Sequence, residues 1–154
     1  MKLVIIVAVL AVVGFGGYKL AFASSGAYEA YESFADAILY DRWDDAKKAC
    51  TSGSARDFVD AAESLPKKMG YETYKYFRGI VHMGPSRKLE SETKSADGKT
   101  VTLRVIQEVR RGSPTMAPIG KATVRQKQDV VVADTPDGWR VQGFKEEVES
   151  LTEM

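Results

Sequence analysis

"TVTLRVIQEVRR", residues 100–111, alternates in character. Val101, Leu103, Val105 and Val109 fall on one face, and Thr102, Arg104, Glu108 and Arg110 on the other. A period of two sustained over a dozen residues marks a β-strand with one buried face. One residue breaks the pattern, because Gln107 lies on the apolar face between Val105 and Val109. A buried polar side chain needs a partner. Gln107 therefore points into a cavity or marks the frayed end of the sheet.

The neighbouring segments extend the sheet. "RKLESETKS" (87–95) precedes the strand, and Ala96-Asp97-Gly98-Lys99 between them carries the Asp-Gly pair of a hairpin. "GSPTMAPIG" (112–120) is a loop. "KATVRQKQDVVVAD" (121–134) and "WRVQGFKEEV" (139–148) form a second hairpin around Thr135-Pro136-Asp137-Gly138. Upstream, "YETYKYFRGIVHM" (71–83) is rich in aromatic and branched residues and reads as the first long strand.

Before Tyr71 the period changes. Ala27, Tyr31, Phe34 and Ile38 recur at helical spacing, with Glu29, Glu32 and Asp36 off the stripe. Ala46, Ala49 and Cys50 define a second short helix after Asp41. "SARDFVDAAESL" (54–65) is a third, with Ser54 and Asp57 spaced as a capping pair and Pro66 and Gly70 closing it. The expected fold is α+β: about three helices packed on a curved antiparallel sheet of four to five strands.

A helix ending near "ILYDRWDDAKKAC" (38–50), then strands, then a last strand of the form "DGWRVQGF" (137–144), resembles the nuclear transport factor two-like, cystatin-like α+β cone over residues 26–147. The resemblance implies that Trp139 packs under the helices. It implies no single function, because the superfamily hosts isomerases, dehydratases, small-ligand binders, transport adaptors and periplasmic domains of secretion components.

An enzyme of that superfamily would place an acid–base pair inside the cone. His82 is the single histidine and sits late in the expected first strand, with no carboxylate partner at strand spacing. No catalytic residue is therefore assigned. His82, Gln107 and Tyr76 are the candidates for a ligand cavity, with Tyr71, Tyr74 and Phe77 read as core and edge residues. One histidine and one cysteine do not make a zinc or haem site, so no metal or cofactor is expected. "APIGKAT" (117–123) fails as a phosphate loop, since Gly112 and Gly120 are too far apart and Ala122 stands where a hydroxyl is needed. Cys50 excludes an intrachain disulfide and reads as a buried small hydrophobe.

Hydrophobic residues at 44% and charged residues at 28% exclude a disordered or fibrous chain. Charge is unevenly spread. Residues 24–65 hold nine acidic against four basic groups, and residues 66–144 eight against fifteen. Lys145 stands against Glu146, Glu147, Glu149 and Glu153 at the end. Arg104, Arg110, Arg125 and Lys127 alternate with apolar positions, which puts them on the outer sheet face as interaction candidates for an acidic protein partner, a second copy or an anionic lipid surface.

Residues 3–18, "LVIIVAVLAVVGFGGY", carry no charge and span roughly 24 Å as a helix, or roughly 31 Å when extended to Ala23 with Lys19 snorkelling. The hydrocarbon core is about 30 Å thick. Met1-Lys2 is positive, whereas Glu29, Glu32, Asp36 and Asp41 follow with only Arg42 against them, which favours an extracytoplasmic C-terminal part. Residues 1–23 are thus expected to form a transmembrane signal anchor in the cytoplasmic membrane, with 24–154 as one exported domain. The alternative is cleavage after Ala21-Phe22-Ala23 to give a secreted or periplasmic protein.

Together these features point to an envelope protein serving assembly or binding, not catalysis, with no nucleic-acid partner. The alternative is a periplasmic small-ligand binder or degenerate isomerase-like enzyme using the cone. For the anchor, the expected result is a chain that begins at Met1 by intact mass and leaves membranes only with detergent. A mature chain beginning at Ser24 would overturn it.

Overall fold

In the computed structural model, residues 25–78, 80–81, 84–112 and 122–153 are described. Among the described residues four helices precede the sheet: α1 (Gly26–Leu39), α2 (Trp43–Ala49), α3 (Ser54–Met69) and α4 (Tyr71–Arg78). The strands are β1 (Ile80–Val81), β2 (Ser86–Lys94), β3 (Thr100–Gly112), β4 (Ala122–Thr135) and β5 (Gly138–Glu153). The described strands pair antiparallel: β3 bonds β1 and β2 along one edge and β4 along the other, and β4 bonds β5. The anchor expected over residues 3–23 lies outside the described residues, and none of the described helices is long and apolar enough to cross a membrane.

The α1 stripe behaves as its spacing requires. Ala27, Tyr31, Phe34 and Ile38 are all buried against the inner sheet face. Ser25 caps the helix, its hydroxyl accepting from the Tyr28 amide at 3.1 Å. In β3, Val101, Leu103, Val105 and Val109 are buried, and opposite them β4 turns Val130 and Val132 inward. Cys50 is buried, as its composition suggested, and burial pushes its thiol pKa up.

Two joints fasten the helices to β5. After α2, Cys50 bridges Val141 in parallel, and the Thr51 amide donates to the Val141 carbonyl at 2.9 Å. At the start of α3, Ser54 does not act as the first member of a capping pair. Its hydroxyl accepts from the Phe144 amide at 3.1 Å, and Gly53 is the N-cap. Gly53 has φ 133°, and a Cβ there would lie 2.7 Å from the Gln142 carbonyl oxygen, so glycine is required by both torsion and space. Register shifts at Leu89/Ser91, Arg125/Gln126 and Val131/Val132 interrupt the ladders. Such bulges add local bend and twist to a sheet.

Three expectations are corrected. Tyr71–Arg78 forms helix, not strand: the Tyr74 amide donates to the Gly70 carbonyl, and Lys75 lies 4.4 Å from the Tyr71 ring centroid at helical i,i+4 spacing. Pro66 does not end α3, which runs on to Met69. Proline removes the N–H that would reach the Ala62 carbonyl and crowds that carbonyl, yet the helix continues for one more turn beyond it. Trp139 shares the Val141 face but is only partly buried, with its indole against Gly26.

Phe144 is the better anchor of the core, packed edge-on against Phe34 and Phe58 with centroids at 5.3 and 4.8 Å. Phe144→Ala is expected to cost about 3–5 kcal/mol, and Trp139→Ala less, by urea denaturation. The reverse order would contradict this packing.

Candidate functional site

The inner face of the sheet is apolar at one end and polar at the other. On β4, the positions that follow Val132 and Val130 inward are Gln128 and Gln126. Across the ladder they meet Val105 and Gln107 on β3, and Glu146 and Val148 on β5. Where these side chains line up, the helices stand off and leave a cavity of about 230 Å³. Its helical wall is Ala35, Ile38 and Leu39 of α1, Trp43 of α2, Phe58, Ala62 and Leu65 of α3, and Tyr74 of α4. Its floor is Gln107, Arg111, Gln126, Gln128, Phe144 and Glu146.

Two hydrogen-bonded chains hold the floor. In the first, Tyr31 donates its hydroxyl to Gln128 Oε1 at 2.5 Å, and Gln128 Nε2 donates to Glu146 at 2.8 Å. Tyr31 is fully buried, and that burial, more than any nearby charge, raises its pKa well above the usual 10. The phenol therefore stays protonated and remains a donor. In the second, Arg87 on β2 pairs with Asp36 on α1 at 2.8 Å. Its Nε donates to Gln107 Oε1 at 2.7 Å, and Gln107 Nε2 donates to Gln126 Oε1 at 3.2 Å. The Arg87 side chain is only 7% exposed and lies over the Tyr31 ring. Its Nη2 is buried and has no hydrogen-bond partner among the described residues.

Of the two places that the alternation left open for Gln107, the structure has it in the cavity floor, 4% exposed. His82 lies outside the described residues, and Tyr76 belongs to α4 instead of a strand. The outer-face cations are placed apart from the cavity. Arg104 bonds Asp129 at 2.9 Å, and Arg125 bridges Glu108 at 2.8 Å and Glu149 at 2.9 Å. Arg110 lies opposite Thr123, and Lys127 between Ile106 and Glu147. Pairs as exposed as these contribute little to stability. No group of acidic, histidine and cysteine side chains suited to a metal occurs among the described residues.

Tyr31, Arg87, Gln126, Gln128 and Glu146 were not singled out by sequence. The signal for two of them was present: in "VRQKQDVVV" the glutamines share the parity of Val130 and Val132. Nothing local marks Arg87, whose role comes from pairing across β2, β3 and α1.

Solved structures share this architecture. A ketosteroid isomerase-like protein from Erwinia carotovora atroseptica SCRI1043 superposes with a TM-score of 0.55 at 8% identity, covering 80% of this chain and 94% of that one. The Kfla4162 protein from Kribbella flavida superposes with a TM-score of 0.52 at 12% identity, covering 81% and 89%. No protein-family model matches the sequence, and no curated protein does either. The chain has the nuclear transport factor two-like, ketosteroid isomerase-like fold. At these identities the likeness establishes the fold and leaves function to the site.

Because Tyr31 ionises less readily folded than unfolded, its contribution to stability is fully present below about pH 10 and is lost as pH rises beyond it. Tyr28 shifts the same way, through burial first and Glu32 second. Tyr31→Phe is expected to flatten the alkaline fall in stability above pH 10. At neutral pH it should cost about 1–3 kcal/mol, since it strips the buried Gln128 oxygen of its donor. An unchanged alkaline profile in chemical denaturation would contradict this assignment.

Proposed function

We propose that the domain binds a small ligand inside the cone, with an apolar body against the helical wall and a polar end on the glutamine floor. The single observation that carries this reading is the cavity itself. Its volume of about 230 Å³ is a little below the roughly 300–1,000 Å³ of drug-sized sites, so the ligand is a compact one. Trp43, Phe58 and Leu65 supply apolar contact, and the buried amides supply direction. Structures of the same fold include a ketosteroid isomerase-like protein, which supports use of the cone interior.

Binding is favoured over catalysis because three of the six floor residues are amides, which position a ligand but do not exchange protons at neutral pH. An assembly role through the outer face has less behind it, since Arg104 and Arg125 are already matched by acidic partners within the sheet. The extracytoplasmic, membrane-tethered location carried by residues 3–23 remains part of the proposal. It would place the cavity outside the cytoplasmic membrane.

The test is thermal denaturation with small aromatic fragments such as indole and acetophenone, on the wild type and on Ala62→Phe, which fills the cavity from the α3 side. A ligand at about 100 times its Kd adds about 2.7 kcal/mol, which amounts to several degrees in Tm for a domain of this size. Stabilisation of the wild type and none of Ala62→Phe is the expected result. No stabilisation of either, or equal stabilisation of both, would refute the reading.

A further inference from the structure

The second hydrogen-bonded chain has a fixed direction. Arginine carries five N–H donors and no acceptor, so the Gln107 atom facing Arg87 Nε at 2.7 Å is its carbonyl oxygen. That choice turns the Gln107 amide nitrogen toward Gln126, whose own carbonyl oxygen accepts at 3.2 Å. The Gln126 carbonyl is thereby occupied, which leaves the NH2 group as the hydrogen-bonding end of this cavity-lining residue that the chain does not use. Neither amide can rotate without placing two donors or two acceptors face to face. Asp36 at 2.8 Å holds the guanidinium that sets the order. Its 7% exposure keeps water from competing at the head of the chain.

We infer that the cone reads its ligand through a hydrogen-bond donor, the Gln126 amide NH2 fixed by the chain Arg87–Gln107–Gln126, and so selects compact ligands that present an acceptor such as a ketone carbonyl. This rests on the cavity-binding reading above and specifies its ligand class. Arg87 is a positioning residue: it does not line the cavity but sets which end of each glutamine faces it. Gln126 is the residue that touches the ligand. It is half-buried, opposite the exposed Val148 across the ladder.

The direct test uses two probes of nearly equal shape, acetophenone and α-methylstyrene, in which a CH2 group replaces the carbonyl oxygen. Dissociation constants are read from 1H–15N spectra of the full chain. The quantity of interest is the preference for the ketone, and how it changes between wild type and variants, so that the different hydrophobicities of the probes cancel. Gln126→Met, which removes the donor at similar volume, should lower that preference about tenfold. In the wild type, acetophenone should also shift the Gln126 side-chain NH2 resonances. Arg87→Lys, still a pure donor toward Gln107, should keep the preference. Arg87→Gln, able to present either end, should lose it while α-methylstyrene affinity is unchanged. A purely structural role for Arg87 would weaken both probes together and would overturn its part of the inference. If both probes bind and Gln126→Met leaves the preference unaltered, the donor reading is wrong although the cavity binds. If neither probe binds the wild type, the ligand-cavity reading itself fails.

Discussion

A guanidinium buried between a helix and a sheet is the constraint on which the interior of this cone depends. Removing a charge from water costs several kcal/mol unless it is paired and its donors are used. Arg87 offsets most of that cost through three groups from two elements: Asp36 and the Tyr31 ring on α1, and Gln107 on β3. The contacts fix the height of α1 over the polar end of the sheet. Phe34, one turn from Tyr31, closes the apolar end against Phe144. The space left between the two ends is the cavity.

The two faces of the sheet solve the problem of polar side chains differently. On the outer face the charges are solvated, and Arg104 and Arg125 find acidic partners across the strands. There the alternation of signs favours the observed register and contributes little stability. On the inner face the polar groups are mostly uncharged amides. Gln107 and Gln128 are almost completely buried, so each needs its own donor or acceptor. Buried amides matched in this way make an interior rigid and specific. That is the quality a small binding site needs, because a ligand held by one or two hydrogen bonds gains nothing from amides that reorient.

Much of the layout was legible from periodicity. The α1 stripe, the alternation of β3 and both hairpins follow from spacing and turn residues, since burial on one face imposes a period that side chains must obey. The cavity was half legible. Gln107 stood out because Val105 and Val109 flank it at the same parity. Gln126 and Gln128 carry the same signal but sit in a strand where polar residues also occupy the other face, which hides it. Tyr71–Arg78 misled because tyrosine and phenylalanine suit strands, whereas their spacing also fits one face of a helix begun at Gly70. Arg87 was invisible: it sits in "SRKLESETK", a polar edge strand whose burial pattern shows no alternation. Its burial depends on α1, fifty residues away in the chain.

The account turns on the fixed orientation of the amides, and hydrogen exchange of the glutamine side-chain NH2 groups by NMR reads that most directly. Gln107 and Gln128 donate within the floor, to Gln126 and Glu146, and should exchange slowly. Gln126, whose NH2 donates to neither of these chains, should exchange markedly faster than both. Equal, fast exchange at all three would show amides free to rotate and would contradict the polarised floor from which the binding role is argued.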